Sequence, residues 1–193
     1  MKLFIGTLAL LVCSVSALIF DRPCRDTVAA KDNFSPAFYT GTWFELYNSL
    51  DQGNADCIDH HYTRRGLQQV FDVERVGFVQ ERGFLRETGV AAVAFPEETP
   101  MRAIFNATLL RVDDEEETAY SYRVVATDYT NYAVTWSCID LPDNRSQEEG
   151  AILGRQTQLN EASYVKVDAI LESVGLNRED FRFISHQPED CDF

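Results

Sequence analysis

The strongest restriction on the fold is a regular series of short β-prone runs separated by turn residues. The first runs from Trp43 to Asn48 after a break at Gly41, and "CIDHHYT", "LQQVFDVERV", "GFLRETGVAAVAF", "MRAIFNATLLRV", "AYSYRVVA", "YAVTWSCI" and "AILGRQT" follow it. That makes about eight strands, rich in aromatic and β-branched residues. The connections carry turn chemistry: Gly66, Gly77 with Gly83, "PEETP" at 96–100, "DDEEE" at 113–117 and "LPDNRSQEEG" at 141–150. The sharpest turn signal, Asp128 to Asn131, lies between "YSYRVV" and "YAVTWSC" and reads as a β-hairpin. Late in the chain one helix is expected: Asn160 caps it, Glu161 favours its positive first turn, and Val167, Ile170, Leu171 and Val174 share one face before Gly175 ends it. Its single apolar stripe implies docking against a flat apolar surface outside the strands. A last short strand is expected in "FRFISH". This inventory suits either a closed antiparallel barrel or a sandwich, and the pattern alone does not choose.

The start of the chain speaks to compartment. "MKLFIGTLALLVCSVSA" has a basic residue, an apolar core and small residues up to Ala17, which is the pattern of a signal peptide spanning 1–17. The apolar run is too short and too interrupted for a membrane anchor, and no later segment is long and apolar enough to span. Residues 18–193 then form one domain with a substantial core. Losing Cys13 with the leader leaves Cys24, Cys57, Cys138 and Cys191, an even set expected to form two disulfides, with three pairings open to it. No free thiol remains under any of them, which argues against a cysteine nucleophile. The sequons at Asn106 and Asn144 are expected glycosylation sites in a secreted chain, whereas the one at Asn33 is weakened by Pro36. Formal net charge is -14, which disfavours nucleic acid and anionic membrane surfaces.

Three segments carry a resemblance. "GTWFE" at 41–45, "ATDYTNYAVTWSC" at 126–138 and "ILGR" at 152–155 occur in an order and at a spacing that resemble the lipocalin family, especially the apolipoprotein D, insect bilin-binding and crustacyanin group. The resemblance covers nearly the whole chain after the leader. It implies an all-β fold, an eight-stranded antiparallel up-and-down barrel open at one end, with the C-terminal α-helix packed outside. It also implies that Trp43, following Gly41, packs at the closed end beneath Arg155, that Asp128 and Tyr129 are hairpin residues near that end, and that Cys24 pairs with Cys138 and Cys57 with Cys191.

An eight-stranded barrel holds one small ligand. If Asn106 carries a glycan it points outward, so alternation turns Ala103, Phe105, Ala107 and Leu109 inward as an apolar ligand-binding wall. The resembled pattern has an aromatic residue where this chain has Arg123. If that position faces the cavity, Arg123 is expected to pair with an anionic group on the ligand, or with an internal carboxylate such as Glu45 or Glu87; an outward Arg at the barrel mouth is the other reading. Ala151, where relatives carry a bulky aromatic, enlarges the pocket.

Other chemistry is weakly signalled. In "CIDHH" at 57–61 the two histidines face opposite sides of a strand and Cys57 is expected to be oxidised, so no metal site is expected. The acidic run at 113–117 lacks the ligand spacing of a calcium loop and reads as a solvated turn. No nucleophile elbow, phosphate loop or dinucleotide fingerprint is present. The expected function is therefore a secreted, extracellular, non-enzymatic carrier of a small hydrophobic molecule such as a bilin, carotenoid, retinoid, steroid or fatty acid. No cofactor is expected other than a pigment or lipid bound as ligand. The alternative is a lipocalin-fold enzyme or inhibitor acting on a lipid-like or protein partner. Further partners would be a second copy of the chain or a cell-surface receptor.

Overall fold

A computed structural model describes residues 18–191 apart from 26, 50–54, 81, 114 and 188, so the expected signal peptide lies outside the described residues. The chain opens with a short strand, β1 (Leu18–Phe20), and one helical turn, α1 (Pro36–Tyr39). Eight longer strands follow: β2 (Gly41–Asn48), β3 (Asp56–Arg64), β4 (Val70–Val79), β5 (Gly83–Val93), β6 (Ile104–Arg111), β7 (Glu117–Thr127), β8 (Tyr132–Leu141) and β9 (Arg145–Gly154). Helix α2 (Glu161–Ser173) and a last strand, β10 (Arg182–Phe183), complete the order. Each of β2 to β9 pairs antiparallel with the next, and β9 pairs back onto β2. The eight strands thus close into an up-and-down barrel, which removes the free sheet edges a sandwich would leave. At the seam β1 extends the ladder of β9 and β10 that of β2.

Alternation divides the side chains into two populations. On the interior side, Trp43, Tyr62, Phe71, Val73, Phe105, Tyr122 and Val124 are buried together with Phe34 and Tyr39 from the segment before β2. Outside the wall, Tyr132, Val134, Trp136 and Ile152 meet Val167 and Leu171 of α2. That helix starts where Asn160 accepts a hydrogen bond from the Ser163 amide at 2.9 Å, and Gly175 follows it with φ +70°. Between Glu45 and Tyr47 the β2–β9 register shifts. Leu46 is the extra residue of this bulge and points into the outer core, so Glu45 and Asn48 both reach the interior.

Strand β9 begins at Arg145, where the sequence reading had a loop through Gly150. The physical reason is that polar residues occupy both faces of this strand. Outward, the fully buried Glu148 receives Arg22 at 2.6 Å, Arg25 at 2.5 Å and the Trp136 indole N–H at 3.1 Å. Inward, Gln147 and Glu149 face other polar groups, so no apolar alternation advertises the strand. Only the tight turn Pro142–Asn144 remains as connection.

Gly89 lets β5 and β6 come together. A Cβ at this position would lie 1.9 Å from the Thr108 carbonyl oxygen and 2.9 Å from the Leu109 Cα. Both obstacles are backbone and neither can rotate away. Gly89→Ala is expected to cost about 3 kcal/mol, the upper end for overpacking, read as a drop in the urea midpoint; an unchanged midpoint would contradict this packing.

Candidate functional site

Chain direction decides which end of the barrel is open. The connections after β3, β5 and β7 and the start of β2 lie at one end, and those after β2, β4, β6 and β8 at the other. The first end is plugged. The Trp43 indole N–H donates to the Tyr39 carbonyl at 2.9 Å, and the Arg155 guanidinium lies 3.7 Å from the Trp43 ring centroid. Arg155 also donates to the carbonyls of Tyr129 (3.0 Å), Thr42 (2.7 Å), Thr40 (2.8 Å) and Phe38 (3.1 Å), stitching three segments beneath the barrel. Gly41, at φ +92°, starts β2 directly under this guanidinium, and a Cβ there would meet Arg155 Nη1 at 3.4 Å. Asp128 accepts amide hydrogen bonds from Thr130, Asn131 and Tyr132, and Tyr129, at φ +67°, accepts from the Ser35 amide through its hydroxyl. These residues fix the closed end and touch no cavity.

Above the plug a cavity of about 680 Å³ runs toward the second end. Its deep walls include Tyr62, Leu109, Tyr122 and Leu153, and its mouth Ile58, Leu85 and Ile139. Between them lies a belt of polar and ionisable groups. Glu45, 2 % exposed, accepts from Asn48 and meets His60 Nε2 at 2.7 Å. Arg75 donates to Glu87 at 2.9 Å and its second nitrogen lies 3.9 Å from Glu45. That nitrogen, Nη2, is buried with no hydrogen-bond partner. Glu149 accepts from Gln147 at 3.0 Å and from the Ser137 hydroxyl at 3.3 Å.

Environment separates the two acids. Burial works to raise the Glu45 carboxyl, but the His60 hydrogen bond, the Arg75 charge and the Asn48 amide outweigh it and hold it at about 2. Burial raises the Glu149 carboxyl, and the hydrogen bonds from Gln147 and Ser137 offset this only in part. Burial likewise pushes up the phenols of Tyr62, Tyr120 and Tyr122, which stay protonated donors. A carboxyl depressed from 4.5 to about 2 stabilises the fold fully above its unfolded value, and that stabilisation is lost as pH falls from about 4.5 to about 2. It amounts to about 3 kcal/mol. Urea midpoints measured from pH 6 to pH 2 are expected to fall more steeply in the native sequence than in Glu45→Gln; parallel curves would refute this environment for Glu45.

The expected site residues separate on inspection. Asn106 is exposed on the outer face of β6, and Ala103, Phe105, Ala107 and Leu109 are buried on the inner side. Of these only Leu109 lines the cavity. Phe105 is packed into the plug, stacked on Tyr122 at 5.1 Å and edge-on to Phe34 at 5.5 Å, with Ala103 and Ala107 in the same cluster. Alternation gives the side of a strand but not the height at which the plug ends. Arg123 requires a larger correction. Tyr122 and Val124 take the inward positions of β7, so Arg123 points outward, lies 5.1 Å from the Trp136 ring and donates to the Val28 carbonyl. It therefore meets neither a ligand in the barrel nor Glu45 or Glu87. The arginine inside is Arg75, which the sequence reading missed along with His60, Tyr120 and Glu149. Stepping by two from Val73 reaches Arg75, just as stepping by two from Trp43 reaches Glu45, which the sequence already offers as an interior carboxylate. Asn144 is exposed at the turn beside the open end, and Ala151 lines the cavity. The disulfides are Cys24–Cys138 and Cys57–Cys191. Among the described residues no cluster of His, Cys, Asp and Glu has the geometry of a metal site, and no helix is long and apolar enough to cross a membrane.

Comparison with known proteins agrees with this geometry. Residues 104–187 match the model of the lipocalin / cytosolic fatty-acid binding protein family. The crustacyanin-A1 subunit of Homarus gammarus is 25% identical over 145 residues, 74% of each chain. Among solved structures, insecticyanin from the tobacco hornworm Manduca sexta superposes with a TM-score of 0.78 at 18% identity, covering 91% of this chain and 93% of that one. The amine binding protein of Rhodnius prolixus, solved as its tryptamine complex, gives a TM-score of 0.69 at 18% identity over 88% of this chain and 93% of that one.

Proposed function

The chain belongs to the lipocalin family, and on that premise we propose that it is a secreted carrier holding one small, largely hydrophobic molecule non-covalently in its barrel. The observation that carries this reading is the cavity of about 680 Å³, plugged at one end, open at the other and lined by both apolar and hydrogen-bonding groups. Burying roughly 400 Å² of ligand apolar surface contributes on the order of 10 kcal/mol; after association costs this corresponds to micromolar to nanomolar binding. The belt adds a requirement. A ligand that fills the barrel desolvates Arg75, whose Nη2 has no partner in the chain, along with His60 and Glu149, so it needs polar atoms to meet them. The ligand is amphipathic rather than a plain hydrocarbon.

Two disulfides with loops of over a hundred residues suit an oxidising, extracellular setting. Glycans on the exposed Asn106 and Asn144 belong to the same reading, and a mass shift on N-glycosidase treatment reports them. Native mass spectrometry of protein from its natural source is expected to show one small molecule per chain, lost on denaturation, with a visible absorption band if it is a pigment. Ligand-free mass combined with no saturable binding of the neutral fluorophore N-phenyl-1-naphthylamine would refute the carrier reading.

A further inference from the structure

The cationic groups of the barrel are shared unevenly among its carboxylates. Glu45, Glu87 and Glu149 all line the cavity. The one arginine enclosed beside them, Arg75, is already held by Glu87 at 2.9 Å and lies 3.9 Å from Glu45. Arg82 and Arg111 stand at the mouth, where Arg82 is exposed and Arg111 is engaged with Glu116 at 2.9 Å and lies 3.9 Å from Glu87. His60 is committed to Glu45. Glu149 alone of the three carboxylates has no ion pair with any described Arg, Lys or His; its partners are the neutral Ser137 and Gln147.

We propose that Glu149 is the recognition point for a positively charged organic ligand, a primary or secondary ammonium on a hydrophobic body, bound in the barrel. The inference rests on the carrier reading and specifies its ligand class. Three features support it. Tyr122, Ser137 and Glu149 form one row across β7, β8 and β9, so the carboxylate shares an inward row with a phenol ring two strands away, with the small Ser137 between them. That ring, with Tyr62 and Tyr120, offers π faces that attract a cation and would not attract an anion. An anionic ligand would share the cavity with Glu45, Glu87 and Glu149 and would find Arg75 already ion-paired with Glu87, leaving only its Nη2 to offer. An ammonium supplies the counter-charge that the chain itself does not provide to Glu149. Burial raises the Glu149 carboxyl, and the Gln147 and Ser137 hydrogen bonds and the more distant Arg75 charge offset this only in part. The expected polarity is thus opposite to the one that Arg123 in the cavity would have implied.

The test uses three ligands of one shape on the intact protein: 1-(2-naphthyl)ethylammonium, 2-acetonaphthone and 2-naphthoate. Titration calorimetry at pH 7.4 is expected to show the ammonium binding about 30-fold more tightly than the ketone, and the carboxylate more weakly than both, a spread typical of a partly desolvated ion pair. In Glu149→Gln the ratio of ammonium to ketone affinity is expected to fall to near one. Equal or tighter binding of the ketone or carboxylate by the native sequence would overturn the inference while leaving the carrier reading intact. Retention of the ammonium preference in Glu149→Gln would also overturn it. Binding of none of the three, together with no uptake of N-phenyl-1-naphthylamine, would remove the carrier reading and this inference with it. The native-sequence comparison needs no variant, so a folding defect in Glu149→Gln leaves it decisive.

Discussion

Replacing Cys24 and Cys138 with serine is expected to lower stability by about 4 kcal/mol. The bridge spans 114 residues, and the chain-entropy model assigns about 4–5 kcal/mol to a loop of that length, with engineered cases often delivering less. Two local features make the full amount realistic here. The segment from Arg22 to Arg25 is also held by the buried Glu148, which depends on those arginines staying in place. When the bridge is lost, that segment can leave, and a carboxylate 0 % exposed would be stranded without its cations. The urea midpoint under oxidising conditions should therefore fall well below that of the native sequence. A shift equivalent to under about 1 kcal/mol would show that the lead segment is held by its side chains alone.

Trp43→Ala is expected to cost about 3–5 kcal/mol, the range for emptying a fully buried aromatic site. Trp43 is 0 % exposed, packs on Tyr39 at 5.2 Å and supports Arg155 at 3.7 Å. Deleting the ring removes the π face from a guanidinium that burial already disfavours and leaves the Tyr39 carbonyl without its donor. Trp43→Phe should retain much of the packing but not the hydrogen bond, and so should fall between. Urea unfolding of the three proteins checks the order. If alanine and phenylalanine proved equally stable, the ring volume would not be what holds the plug.

The sequence carried the barrel wall well and its contents poorly. Alternation and turn residues marked the hairpin at Asp128, and a capping Asn160 with its apolar stripe marked α2, because these signals are local. The outward Asn106 set the phase of β6 correctly, so Phe105, Ala107 and Leu109 turn inward, yet nothing local says where a plug ends and a cavity begins. In β7 the phase is set by Tyr122 and Val124 seeking the interior, which forces Arg123 out against Trp136. Glu45 and Glu87 are legible as interior carboxylates only as possible partners of Arg123, and Arg75 and Glu149 are not marked at all, because a polar residue every second position looks alike whether water lies outside the barrel or within it. Strand β9 was hidden for a related reason: Glu148 is buried by arginines more than 120 residues away, a pairing that spacing does not reveal.

The plug at the closed end draws on chain that precedes the barrel as well as on its strands. Lys31 donates its amide to the Val124 carbonyl and accepts from Ala103, Phe34 donates to the Met101 carbonyl, and Tyr39 receives Trp43. This stretch is a stopper pushed into a flask. A polypeptide shortened to begin at Thr40 would lose Phe34 and Tyr39 from that stopper and leave Trp43, Phe71 and Phe105 facing an unfilled base.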